Sequence, residues 1–207
     1  METTDLLSLS VRDFAAAVAD KTPTPGGGSV AGAVGALATA LGEMALNFTR
    51  GKKKFAQHEE LYAHLAHRLD KTRAAFQDLV ADDVAAYGLY REAADMADGP
   101  EKAQATQLAL AAAINVPRLM TKLALSLMDD LRGLSDKCNP YLISDLVAAG
   151  ALAEATVRLC DYNVKINAPQ LADAAAAGEI MASSAADLKA AGAVRQTLEQ
   201  GWARPVN

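Results

Sequence analysis

A carboxylate interrupts an apolar stripe in this chain. Between about Gln57 and Met96 the stripe can be followed in sevens through Tyr62, Leu69 and Phe76 to Tyr90, flanked by Leu65, Thr72 and Leu79, and the position between Phe76 and Tyr90 is Asp83. If the stripe continues, Asp83 faces the interior or a cleft. A carboxylate there must be paired, protonated or lining a polar pocket, and each of these alters its pKa and makes it a candidate acid or base. If the stripe has rotated, Asp82 and Asp83 are both solvated. A second acidic position, Asp145, shares one helix face with Leu152, Thr156, Leu159, Asn163 and Asn167, because eighteen residues make five turns. That face is apolar in its middle and polar at its ends. Asp145 and Asn163 are about 27 Å apart along the helix, too far for one small-molecule site. Two copies paired antiparallel about a two-fold axis near Leu152 would bring Asp145 of one to Asn163 of the other.

The second group of chemical residues suits an anion. Pro23 to Ser29 reads PTPGGGS and Thr49 to Phe55 reads TRGKKKF, with about twenty small apolar residues between them. Gly26, Gly27 and Gly28 let backbone approach a ligand closely, and Ser29 is expected to cap the following helix, whose first amides and dipole favour negative charge. Arg50, Lys52, Lys53 and Lys54 stand where that helix stops, about 30 Å away. A lysine run at a helix end also serves simply as a solvated complement to the dipole.

Other chemistries find less support. His58, His64 and His67 cluster with Glu60, but the chain has no HExxH, no zinc-spaced cysteine pair and no second helix with a Glu-x-x-His set, so they read as solvated and no metal is expected. The glycine loop lacks the GxxxxGK[ST] pattern and follows no strand, which argues against a nucleotide phosphate loop. At net charge −5 the chain lacks the basic excess of a nucleic-acid surface. Cys138 and Cys160 are too few for a disulfide framework, and the N-terminus does not resemble a signal peptide, so the expected compartment is the cytoplasm.

The elements that must position these residues are helical. With 207 residues, 51% hydrophobic and only 5% aromatic, and alanine throughout, the sequence favours one all-α domain over residues 1–207, an up-and-down bundle of five to six helices, several of them long. Helix one runs from Ser10 to about Asp20, with Val11, Phe14, Ala15 and Val18 at helical spacing, and helix two runs from the glycine loop to about Arg50. Gly32, Gly35 and Gly42 each weaken helix two by roughly 1 kcal/mol relative to alanine, a cost accepted where another chain segment must come close. Helix two is therefore expected at the centre of the bundle, and Glu43 interrupts its apolar run before a membrane span is complete. Helix three covers Gln57 to Met96, with a bend near Gly88 or a break near Lys71. Helix four covers Glu101 to Leu134 with a kink from Pro117, helix five Tyr141 to Ile166 after an Asn139 cap, and the last helix Leu171 to Gln200.

Five segments in order, PTPGGGSVAG, NFTRGKKKF, ADDVAAY, LISD and NVKIN, resemble the formiminotetrahydrofolate cyclodeaminase and methenyltetrahydrofolate cyclohydrolase family over roughly Val11 to Asn167. The resemblance implies a dimerising helical bundle, or a higher homo-oligomer, that binds tetrahydrofolate in a groove between subunits. It implies a folate one-carbon enzyme: a cyclohydrolase converting 5,10-methenyltetrahydrofolate and water to 10-formyltetrahydrofolate, or alternatively a cyclodeaminase releasing ammonia to give 5,10-methenyltetrahydrofolate. A noncatalytic helical folate-binding or interaction module is the remaining alternative. By the same resemblance Asp83 and Asp145 supply acid, base and cation stabilisation, and Asn163 and Asn167 bond the pterin or orient water. Lys52, Lys53 and Lys54 meet the glutamate or polyglutamate tail, and Gly26, Gly27, Gly28 and Ser29 shape the groove. No cofactor beyond the tetrahydrofolate carrier, no nucleic acid and no membrane is implied. Two residues depart from the family pattern, Phe55 where tyrosine commonly closes the GKKK element and Tyr141 where a smaller polar residue is expected. The sequence carries no formiminotransferase region such as accompanies the deaminase in fused members, which tilts the expectation toward the stand-alone cyclohydrolase.

Overall fold

The computed structural model describes residues 5–202. Among them six α-helices account for nearly all regular structure: α1 Val11–Ala19, α2 Gly27–Asn47, α3 Glu59–Ala94, α4 Pro100–Leu134, α5 Ile143–Asn167 and α6 Ala174–Trp202. Short 3₁₀ turns at Leu6–Ser8, Lys53–His58, Pro140–Leu142 and Ala168–Gln170 join or precede them. The expected all-α bundle is thus observed. Helix two ends three residues earlier than expected, the first turn expected of helix five is 3₁₀ with Pro140 in it, and the last helix starts at Ala174 rather than Leu171, after a 3₁₀ turn that holds Pro169. Asp173 supplies the α6 start, accepting from the amides of Ala175 and Ala176 at 3.0 Å.

α2 is the central element, packed between α3 and α5 and touching α4. Its glycines are required by neighbouring side chains. A Cβ on Gly32 would lie 2.6 Å from Val80 and 3.3 Å from the Phe76 carbonyl oxygen, one on Gly35 2.5 Å from the Phe76 ring, and one on Gly42 2.7 Å from Leu131. Large groups of α3 and α4 therefore fill the space that side chains on α2 would have occupied. By length and composition α2 and α4 are each apolar enough to cross a membrane, yet here both bury much of their surface within the bundle.

α3 runs unbroken from Glu59 to Ala94, without the break considered at Lys71, and spans about 54 Å. Tyr62, Leu69 and Phe76 are fully buried, whereas Tyr90 is exposed. A helix drifts roughly 20° per heptad against a seven-residue spacing, so the fourth heptad step has left the core face. α4 continues through a buried Pro117. α5 lies antiparallel to α2: Thr156 Oγ1 donates to the Ala31 carbonyl near one end, and Asn139, just before α5, donates to the Phe48 carbonyl at the other. Polar ties fix the remaining helices. Arg73 pairs with Glu43 across α3 and α2, Arg68 with Asp130 across α3 and α4, and the buried Asp161 accepts from Ser184 across α5 and α6. α1 buries none of its residues.

Candidate functional site

The start of α2 is where polar residues from three helices meet. Gly26, extended, is the N-cap, and its carbonyl accepts from Val30. Ser29 was expected as the cap but lies one turn inside the helix. Its hydroxyl donates instead to Asp83 Oδ2 on α3 at 2.8 Å. Gly28 makes that contact possible, since a Cβ there would lie 2.5 Å from Asp83 Cγ and closer still to Oδ1. On the neighbouring Gly27 a Cβ would meet Asn163 Nδ2 of α5 at 3.9 Å, so adjacent glycines admit a carboxylate and an amide. Asn163 is held in turn, its Nδ2 donating to the Leu159 carbonyl at 3.0 Å.

Asp83 is half-buried against the start of α2, so the rotated stripe with a solvated Asp83 is not the one that forms. Burial pushes its carboxyl pKa upward, and the Ser29 hydroxyl and backbone amide pull it partly back by bonding the ionised form. Desolvation dominates, so the group holds a proton to higher pH than an ordinary carboxylate and is a candidate for proton exchange. The Cys160 thiol, one turn before Asn163, is pushed up to about 12, chiefly by burial and with a contribution from the Asp83 charge. It stays protonated and is no nucleophile.

The structure therefore brings Gly26, Gly27, Gly28, Ser29, Asp83 and Asn163 together. Asn167 lies one turn further along α5, half-buried. Asp145 and the lysines are elsewhere. Asp145 sits half-buried in the first turn of α5, at the opposite end of α2, where its charge contributes to raising the pKa of the buried Cys138 thiol. Lys52, Lys53 and Lys54 follow α2 at that same end, all exposed, with Lys54 Nζ 5.7 Å from the Phe55 ring centre. The predicted residues thus form two groups within one protomer, separated by the length of α2.

Two buried polar residues brace the lysine end. Thr49 and Asn139 are buried, and the Asn139 backbone amide donates to Thr49 Oγ1 at 3.0 Å. Asn139 is recognisable as a cap, and its side chain does accept from Tyr141. Its amide also donates to the Phe48 carbonyl, and that tertiary bond has no sequence signal.

Comparison with known proteins gives a consistent picture. The sequence profile described as Formiminotransferase-cyclodeaminase matches residues 10–186. A protein named methenyltetrahydrofolate cyclohydrolase from Methylorubrum extorquens is 30% identical over 203 residues, covering 96% of this chain and 98% of its own. The formimidoyltransferase-cyclodeaminase of Mus musculus is 32% identical over 173 residues, covering 81% of this chain and 32% of that protein. The chain thus spans about a third of the length of such two-activity relatives. The crystal structure of formiminotetrahydrofolate cyclodeaminase from Thermotoga maritima matches with a TM-score of 0.84 at 29% identity, over 95% of this chain and 98% of that one.

Proposed function

The chain belongs to the formiminotransferase-cyclodeaminase family, and on that premise we propose that it is a methenyltetrahydrofolate cyclohydrolase, opening the methenyl bridge between N5 and N10 of tetrahydrofolate with water. The observation that carries the site assignment is Asp83, a half-buried carboxylate set against Gly28 and bonded to Ser29. As base it takes a proton from water while the oxygen bonds to the bridging carbon. The cationic amidinium becomes a neutral tetrahedral carbon. The C–N5 bond then breaks, the carbinol oxygen gives up its proton as the formyl carbonyl forms on N10, and N5 takes a proton up. One proton is released overall, and Asp83 can relay each transfer. Asn163, placed beside it, orients water or a pterin edge, for which an amide offers both donor and acceptor. Asn167 extends the same polar face.

Asp145 is the second carboxylate, favouring the cationic ground state and the cationic approach to the tetrahedral carbon. It reaches Asp83 only if a second copy lies antiparallel along α5, so we propose that the working unit is a homodimer with two composite sites. Both helices that carry the half-sites leave apolar surface uncovered. On α2, Leu37, Leu41, Met44 and Phe48 fall at one-face spacing and none is fully buried, with Leu37 61% exposed; on α5, Tyr162 and Ile166 are exposed. In this arrangement Lys52, Lys53 and Lys54 meet the glutamate tail, extended by further glutamates or not, and Gly26 to Ser29 line the groove. The carbon chemistry asks nothing of a cofactor beyond the tetrahydrofolate carrier, and the reading places the protein in the cytoplasm, where one-carbon folate exchange needs no membrane or nucleic-acid partner.

The likeness to a cyclodeaminase structure supports a second reading, in which N10 attacks an N5-formimino carbon and ammonia leaves through the same tetrahedral geometry. Two assays on one preparation separate the readings. A cyclohydrolase bleaches the near-ultraviolet absorption of methenyltetrahydrofolate faster than buffer, and a cyclodeaminase generates that absorption from the formimino substrate with release of ammonia. Folate binding with neither signal would identify a noncatalytic relative.

A further inference from the structure

The lysine end of the bundle carries two aromatic rings that the fold does not use. Tyr141 is 91% exposed and Phe48 56% exposed, in a chain that spends few aromatics anywhere. Neither is a loose surface residue, because one buried amide anchors both. The Tyr141 backbone amide donates to Asn139 Oδ1 at 3.3 Å and the Leu142 amide to the Asn139 carbonyl at 2.8 Å, while Asn139 Nδ2 donates to the Phe48 carbonyl at 3.3 Å. Asn139 is itself pinned through Thr49, whose hydroxyl donates to the Ala45 carbonyl at 2.7 Å. A solvent-facing ring on a rigid backbone presents a flat apolar face at little entropic cost.

The residues around that face define what it fits. Asp145 is one helical turn beyond Tyr141, and Lys52 is four residues beyond Phe48, with Lys53 and Lys54 following. Cations, a carboxylate and exposed rings at one end of the bundle match a ligand with a planar aromatic portion between a cationic centre and an anionic tail. We infer that Tyr141 is a substrate-stacking residue, its ring covering the aminobenzoyl ring that joins the reacting one-carbon centre to the glutamate tail. This rests on the folate reading above and adds a specificity determinant to it. Tyr141 supplies affinity for the aromatic portion and takes no part in proton transfer.

The test compares Tyr141→Ala and Tyr141→Phe with the unaltered protein, measuring kcat and KM for methenyltetrahydrofolate monoglutamate, thermal melting and mass by light scattering. Loss of one ring contact raises KM about tenfold in Tyr141→Ala. In that variant kcat stays within about twofold. Tyr141→Phe recovers the KM, because the ring and not the hydroxyl makes the contact, and neither variant melts lower. An unmoved KM in Tyr141→Ala, a Phe variant no better than Ala, or a Tyr141→Ala protein that falls apart into monomers at assay concentration each overturns the inference, the last by making Tyr141 an assembly contact. Unaltered protein that neither turns over nor binds the folate overturns the functional reading and this inference with it. An active protein with an indifferent Tyr141→Ala overturns this inference alone.

Discussion

The Ser29 hydroxyl reaches across 54 positions of sequence to donate to Asp83 Oδ2 at 2.8 Å, and it is the side-chain bond that favours the charged form of a carboxylate which burial drives toward its neutral form. Removing it leaves desolvation less opposed. Ser29→Ala is expected to raise the Asp83 pKa further, and with the ionised carboxylate as the proposed base toward water, the acid limb of the pH–rate profile moves to higher pH. Activity measured on the acid side falls, while activity well above the limb is largely kept. A profile that does not move in Ser29→Ala removes Asp83 from the titrating step.

Asp83→Asn separates chemistry from stability. Because the folded-state pKa of Asp83 lies above its ordinary value of 3.8, the folded protein binds this proton more tightly than the unfolded chain does. The stability linked to it is complete below the unfolded pKa and is lost as pH rises through the folded one. Asparagine has no such loss and keeps an oxygen for Ser29. The variant should therefore melt at or above the unaltered protein at neutral pH, with the difference closing toward low pH. Its turnover should fall at least about a hundredfold, the scale of a removed general base. Melting below the unaltered protein at pH 7 would count against a buried, strained carboxylate.

Gly28→Ala tests the close approach itself. Alanine is the better helix residue by about 1 kcal/mol, but its Cβ would occupy the place of the Asp83 carboxylate. That carboxylate ends a short side chain and can rotate away, breaking its Ser29 bond rather than unfolding the helix. The expected result is a protein whose stability changes by no more than about 1 kcal/mol, with activity reduced about as far as in Asp83→Asn. Gly35→Ala makes the contrast: its Cβ would meet the fully buried Phe76 ring, which cannot rotate free, and overpacking there should cost about 1–3 kcal/mol in urea unfolding.

Lys53→Ala addresses the tail. Lys52, Lys53 and Lys54 are exposed, so their attraction for a polyanion is screened by salt. The variant should bind a folate polyglutamate more weakly than the unaltered protein at low ionic strength, with the gap shrinking as salt is added, and should lose less for the monoglutamate, which offers fewer carboxylates to the run. Equal titrations at low salt would assign the run to a solvated helix end.

These relationships differ in how far the sequence reveals them. The glycines of α2 were legible as points of close approach because each costs helix stability, so their recurrence in one helix needs a tertiary reason; the identities of Phe76, Val80 and Leu131 as the approaching groups depend on three-dimensional register. The polar interruption at Asp83 was legible from the Tyr62, Leu69 and Phe76 spacing. The same spacing carried too far misplaced Tyr90, since the true helical period is 3.6 and the drift accumulates. Ser29 beside a glycine loop has the signature of a cap, and only the packing of α3 diverts its hydroxyl. Asn139 followed by proline showed its local capping bond, while its grip on Phe48 is a contact between distant segments that no local pattern encodes.

The separation of the two groups makes the proposed dimer testable without a structure of it. If each site takes Asp83 from one protomer and Asp145 from the other, Asp83→Asn and Asp145→Asn are each inactive as homodimers. A heterodimer of the two then places both substitutions in one site and leaves the other site native. Random exchange of equal amounts makes half the dimers mixed, each with one working site of two, so activity should recover to roughly a quarter of the unaltered protein's. Recovery must follow subunit exchange, which mild denaturant accelerates, and it should vanish in a Leu37→Glu background, where a charge on the uncovered α2 face keeps protomers apart by light scattering. Sites built within a single protomer give no recovery at any mixing ratio, because every chain in the mixture then carries a broken site of its own.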